Sequence, residues 1–174
     1  MQRLCPFENN SFHHVYSKSI FGYTIFNCKE EYQRMLELIE YYRYGGHTRP
    51  FSYIIKRNPT ITPPGGVMVG LVNIIAYCLM PTHIHFILQQ LENKGIETFM
   101  RRTLNAYSNY FNLRHNRRGP LWQNRFGNRL ILDINGLNNR IQYVHYNPVK
   151  ENLIKTPEEW PYSFASNPLH LPEV

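Results

Sequence analysis

Acidic side chains are scarce in one stretch of this 174-residue chain: residues 101–150 carry nine Lys and Arg but a single carboxylate, Asp133. A hydrolysis that needs paired carboxylates finds no support there. Cysteine is scarce too. Cys5, Cys28 and Cys78 are far apart and odd in number, and none forms a CxxC pair. The chain therefore has no disulfide framework, which fits a reducing compartment. Cys78 reads as a core residue, and a zinc site joining it to His83 and His85 would lack a fourth ligand. Long apolar runs are missing. The longest, around Ile74–Met80, is strand-sized and far below the ~18 residues that cross a bilayer. The opening MQRLCPFE has no apolar signal core, so the expectation is a cytoplasmic protein without a membrane partner. Gly65-Gly66 lacks the Lys-Ser/Thr of a phosphate loop, and no serine sits in a nucleophile elbow. Repeats and low-complexity stretches are also absent.

Aromatic residues, by contrast, are plentiful: Tyr 13, Phe 10 and Trp 2, within 43% hydrophobic and 18% charged residues. A disordered chain would show the reverse balance. The length suits one domain, residues 1–174, able to bury a substantial core. Net charge is +7, and nearly all of the excess lies in residues 101–150, interleaved with Tyr107, Tyr110, Phe111, Trp122, Phe126, Tyr143 and Tyr146. Arginines among aromatics suit a polyanion whose bases can stack. The same composition also fits a solvated basic face over an aromatic core.

Periodicity lays out the elements. His13–Ser19 reads as a short strand. Asn27 to Glu30 reads as a capping box before a helix with Tyr32, Met35, Leu36, Ile39 and Tyr42 on one face, stopped by Gly45-Gly46. Residues 47–66, rich in Pro and Gly, read as a surface insertion, with Phe51–Lys56 able to pair as an edge strand. Val67–Met80 and His83–Leu88 are strands. A long amphipathic helix begins at Ile96 and ends near Arg117-Arg118. A strand-like segment follows over Leu121–Asp133, then a helix from about Gly136 to Asn147, closed by Pro148. The tail, 151–174, is expected to pack across the body. Strand, helix, strand, strand, helix, strand, helix predicts an α+β fold: a ferredoxin-like, RRM-like antiparallel sheet with helices on one face and a further C-terminal helix. The open face would offer a platform for nucleic acid.

Two groups of residues could carry chemistry. His83 and His85 are two apart on a strand, so both imidazoles share a face while Ile84, Phe86 and Leu88 take the other. They could converge on one divalent cation or be two separately hydrogen-bonded histidines. On the last helix, Leu137, Ile141 and Val144 form an apolar stripe and Arg140, Tyr143 and Asn147 a polar one. Tyr143 and Asn147 are one turn apart. Spacing alone does not distinguish them from an ordinary tyrosine and a terminal cap.

Four segments taken together resemble a known family. Met80–Leu88, with His-Ile-His at its centre, resembles the HUH motif of the single-tyrosine transposases, and Tyr143–Lys150 resembles the tyrosine motif. Gly119–Phe126 and Glu159–Ser163 are similar to segments of the REP-associated tyrosine transposase branch, which is IS200-like. The resemblance runs from about His13 to Ser166. It implies the HUH endonuclease core and cleavage and rejoining of single-stranded DNA bearing a hairpin, such as the palindromic ends of an element, through a 5′-phosphotyrosine. By position it implies Tyr143 as the nucleophile, and His83, His85 and Asn147 as ligands of Mg²⁺ or Mn²⁺. Arg101, Arg102, Arg114, Arg117, Arg118, Arg125, Arg129 and Arg140 become candidate DNA contacts. A nucleoid-associated protein, as a monomer or a homodimer, would follow. Two departures stand out: Thr82 occupies a place where Asn is common, and the 47–66 insertion exceeds the usual turn. The competing readings are a domesticated hairpin-binding protein without nuclease activity and, more distantly, a metal-dependent hydrolase of a small phosphorylated molecule.

Overall fold

Alternation along the strands decides which side of the sheet each residue faces. The computed structural model describes residues 6–47, 49–53, 69–123 and 125–166. Its strands are β1 (Phe12–Lys18), β2 (Val72–Met80), β3 (His83–Gln90) and β4 (Gly127–Ile131), paired in the order β2-β3-β1-β4 and antiparallel throughout. The helices are α1 (Lys29–Tyr42), α2 (Gly95–Arg114), α3 (Ile134–His145) and the short α4 (Asn147–Lys150). This is the ferredoxin-like order expected from the pattern.

One face of the sheet is apolar. Val15, Ile74, Tyr77, Leu79, Ile84, Phe86 and Leu88 are all buried there against Met35 and Ile39 of α1 and Phe99, Tyr107 and Phe111 of α2. The opposite face is mixed. Ala76, Cys78, Met80 and Ile87 form a second, smaller cluster on which Leu137, Ile141 and Val144 of α3 are seated. A bulge between Ile74 and Ala76 makes this division possible. Without it, residues two apart would share a face; with it, Ile74 serves the first cluster and Ala76 the second. Burying a side chain such as Val144 is worth about 1.5–3 kcal/mol, so the second cluster fixes α3 firmly. The sheet's second face is therefore not an open platform: a helix crosses β2 and β3.

Several boundaries differ from the sequence expectations. Cys28, not Asn27, is the N-cap of α1, and its side chain makes no capping bond. Glu31, fully buried, instead accepts the Asn27 backbone N–H at 2.6 Å and meets His115 and Arg114 at 2.5 and 3.4 Å, so it ties the start of α1 to the end of α2. Phe51–Tyr53 is a helical turn rather than the start of an edge strand. The rest of that expected strand, and most of the 47–66 insertion, lies outside the described residues. The 121–133 segment pairs regularly only as β4. The last helix breaks at Tyr146, because Pro148 cannot donate to the preceding turn but suits the first turn of a new helix. Asn147 therefore starts α4 rather than ending α3. The tail does pack on the body: the Tyr162 carbonyl accepts from Leu79 N–H, Phe164 N–H donates to the Tyr77 carbonyl, and the Trp160 indole donates to the Leu79 carbonyl. Residues 167–174 lie outside the described residues.

Candidate active site

The mixed face of the sheet holds a cleft of about 440 Å³ where α3 and α4 meet β1 and β3. His14, Tyr16, Lys18, His83, His85, Arg129, Arg140, Tyr143, Asn147 and Glu151 line it. Register explains the grouping. Tyr16 pairs with His85 and Lys18 with His83 across β1 and β3, and His14 pairs with Arg129 across β1 and β4. Directly paired residues share a face, so three strands send polar side chains to one place.

Each candidate ligand has one side already engaged. His83 Nδ1 shares a hydrogen bond with Thr82 Oγ1 at 3.0 Å. His85 Nδ1 shares one with His14 Nε2, also at 3.0 Å. The Asn147 amide Nδ2 donates to the Tyr143 carbonyl at 2.8 Å. The atoms left over are the two imidazole Nε2 nitrogens and the Asn147 Oδ1. The two imidazoles stand perpendicular, with ring centroids 5.0 Å apart. Among the described residues, no three His, Cys, Asp or Glu side chains group as a metal set. A cation here would need two imidazoles and an amide oxygen, and this mixed donor set fits Mg²⁺ or Mn²⁺.

Electrostatics favour neutral imidazoles. Burial, then His83, His14 and Lys18, pushes the His85 imidazolium down to about 2. Burial, then Arg140 and Arg129, pushes His14 down to about 4. His83 is also lowered, chiefly by burial, although Glu151, whose carboxylate is 3.7 Å from Nε2, opposes this. Neutral rings keep a lone pair for coordination.

Tyr143 is half-buried at the cleft wall. Its ring lies edge-on to His14 and His85, with centroids 5.6 and 5.9 Å away. The Lys150 ammonium is 4.4 Å from the centre of the ring and the Arg140 guanidinium 5.8 Å. The other tyrosines weighed against it are placed otherwise. Tyr77 and Tyr107 are buried in the first core, and Tyr146 is half exposed outside this cleft.

The arginines divide. Arg129 and Arg140 line the cleft. Arg114 is held by Glu31 and Glu30, and Arg117 donates to Asn112 and to the Pro120 carbonyl. Arg101 and Arg102 lie on α2, across the sheet from the cleft, and Arg118 and Arg125 are exposed. Sequence reasoning missed His14, Tyr16, Lys18 and Glu151. The first three follow the period of two along β1, but only the pairing with β3 reveals that this face is the cleft's.

Residues 70–147 match the family model described as "Transposase IS200 like", so the motif-based resemblance holds over that segment. A protein of Haemophilus influenzae named "Putative REP-associated tyrosine transposase" is 34% identical over 99 residues, 51% of this chain and 56% of its own length. This chain thus spans little more than half of that relative. A solved structure of a REP-associated tyrosine transposase bound to a REP hairpin superposes with a TM-score of 0.63 at 15% identity, covering 98% of this chain and 88% of that one; it shows the shared fold. Among the described residues no helix is long and apolar enough to cross a membrane.

Proposed function

We propose that this chain, an IS200-like transposase over residues 70–147, cleaves and rejoins single-stranded DNA next to a hairpin, with Tyr143 as the nucleophile. The observation that carries the reading is the meeting of Tyr143, Asn147, His83 and His85 in one cleft with Lys18, Arg129 and Arg140. A phosphodiester repels nucleophiles because its oxygens are negative, and three cations lining the same cleft as the tyrosine offset that charge. Tyr143 Oη would attack phosphorus, forming the Oη–P bond and breaking the P–O3′ bond. The phenolic proton leaves and the departing 3′ oxygen takes one up, giving a 5′-phosphotyrosine and a free 3′-hydroxyl. Attack by a 3′-hydroxyl reverses the step without an external energy source.

His83, His85 and Asn147 would hold a Mg²⁺ or Mn²⁺ ion, which when bound polarises the scissile phosphate. The protein's own part is to fix the donors. Thr82 sets the His83 ring, and the Tyr143 carbonyl orients the Asn147 amide. For His85 to offer Nε2, its Nδ1 must carry the proton and donate it to His14, which makes His14 a positioning residue. The fold neighbour's hairpin complex supports hairpin DNA as the partner.

The test is covalent trapping. Hairpin oligonucleotides with single-stranded flanks and Mn²⁺ should give an SDS-resistant adduct with the wild type and with Tyr146→Phe. Tyr143→Phe should give none while still binding the hairpin. An adduct that persists in Tyr143→Phe, or cutting of plain duplex without any adduct, would overturn the proposal. Hairpin binding with no adduct from the wild type would identify a binding protein instead.

A further inference from the structure

Beside the cleft the backbone makes a turn that its sequence does not suit. Lys18, the last residue of β1, lines the cleft, and the Ser19 N–H bonds to the Thr82 carbonyl next to His83. Immediately after, the Tyr23 N–H closes on the Ile20 carbonyl at 3.0 Å. Both central residues have positive φ: Phe21 at +52° with ψ 23°, and Gly22 at +68°. This is the pattern of a type I′ turn, whose first central position favours Asn, Asp or Gly. A bulky ring there is an outlier. Burial does not compensate for it, because Phe21 is 101% exposed, the most exposed large apolar side chain among the described residues. A strained residue that contributes nothing to packing points to a use outside the fold.

Its surroundings indicate the ligand. Tyr23, two residues on, is 47% exposed, and the Arg117 guanidinium lies 5.5 Å from the centre of its ring. Arg118 is exposed beside Arg117, and Lys18 stands on the cleft side. Exposed aromatic rings set among cations match single-stranded nucleic acid, in which each base has a π-face and each phosphate a charge. Three residues of chain reach about 11 Å at most, so Phe21 stays within a few nucleotides of the cleft.

We infer that Phe21 is a stacking platform for an unpaired base of the DNA strand entering the cleft, an inference that rests on the single-stranded DNA reading above. The turn sacrifices backbone comfort to hold the ring out in solvent, ready for a base. Arg118 would take a neighbouring phosphate.

Two variants separate this role from a structural one. Phe21→Asn suits the turn better, so its melting temperature should equal or exceed that of the wild type. Its affinity for a hairpin with single-stranded flanks should nevertheless fall, by about fivefold to a hundredfold. Its affinity for the same stem without flanks should not change. Phe21→Trp should keep the affinity, and its indole should be quenched by the flanked hairpin. Wild-type binding together with an unchanged Phe21→Asn affinity would overturn this inference alone. An equal loss on the flankless stem would overturn it as well, as would normal DNA binding with lost self-association, which would make the ring a contact between copies. A wild type that binds no flanked hairpin would overturn both this inference and the function proposed above.

Discussion

Acid should unfold this protein through its buried histidines. His14 is only 4% exposed, and its imidazolium is pushed down to about 4. In the unfolded chain an imidazole titrates near ~6.5. Between those values the unfolded state binds a proton that the folded state refuses. Stability therefore rises with pH across the window and is lost as the solution is acidified from about 6.5 toward about 4. A gap of about 2.5 pH units, at about 1.4 kcal/mol each, amounts to about 3 kcal/mol from His14. That is a large part of the 5–15 kcal/mol or so that holds a typical domain folded. His85, pushed to about 2, acts in the same direction through the whole window. His83, His47 and His145 are lowered as well, chiefly by burial, so the combined slope should exceed one proton, or about 1.4 kcal/mol per pH unit. Urea titrations at intervals from about pH 7 to about pH 4.5 measure it directly. His14→Gln removes one titrating group, while its side-chain oxygen can still accept from His85 Nδ1. Its slope should be shallower than that of the wild type by close to one proton. Equal slopes in the two proteins would refute the reasoning, because the acid sensitivity would then lie elsewhere.

Because His83 and His85 are held neutral at pH 7, Mn²⁺ binding should release almost no protons, and calorimetry in buffers of different ionisation heat should return one enthalpy; a buffer-dependent value would mean that a ligand is protonated at rest. Gly127→Ala should destabilise the fold by about 1–3 kcal/mol in urea. A Cβ there would lie 2.2 Å from Cζ of the Tyr16 ring and would force that ring to move, so an unchanged midpoint would show that the ring moves freely. Asp133→Ala should cost about 1 kcal/mol, since the Asp133 carboxylate caps α3 by accepting the Gly136 N–H at 2.7 Å; no change in thermal midpoint would argue that α3 is held by its packing alone.

The sequence carried the sheet well because its signals were local and consistent. Ile84, Phe86 and Leu88 alternate with His83, His85 and Ile87, and that alternation alone put both histidines on one face. The stripe of Leu137, Ile141 and Val144 likewise predicted which side of α3 is buried. What stayed hidden depended on pairing. Nothing near His14 in the sequence says that it meets His85, 71 positions later, because register is decided between strands. The Ile74/Ala76 bulge has no sequence mark, although it sets the inward faces of β2. The break at Tyr146 was concealed because Pro148 was read as the end of a helix when it opens another. Glu31 was missed as a tie between helices because its partners, Arg114 and His115, lie at the far end of α2.

The way the 160–164 segment fastens to the outer edge of β2 also bears on the order in which the molecule is built. Trp160 and Phe164 pack into the same cluster that seats α3, beside Ile75, Leu137 and Ile141. On the ribosome, the chain through α2 emerges first, and it already contains three of the four strands and the two helices that close the larger core. The smaller cluster cannot be completed until residues 160–164 have cleared the exit tunnel. Tyr143 and Asn147 are therefore synthesised well before the support that steadies their helices is present. A nascent chain would hold a formed sheet and an unfinished cleft, so assembly of the surroundings of Tyr143 waits until residues 160–164 have been made.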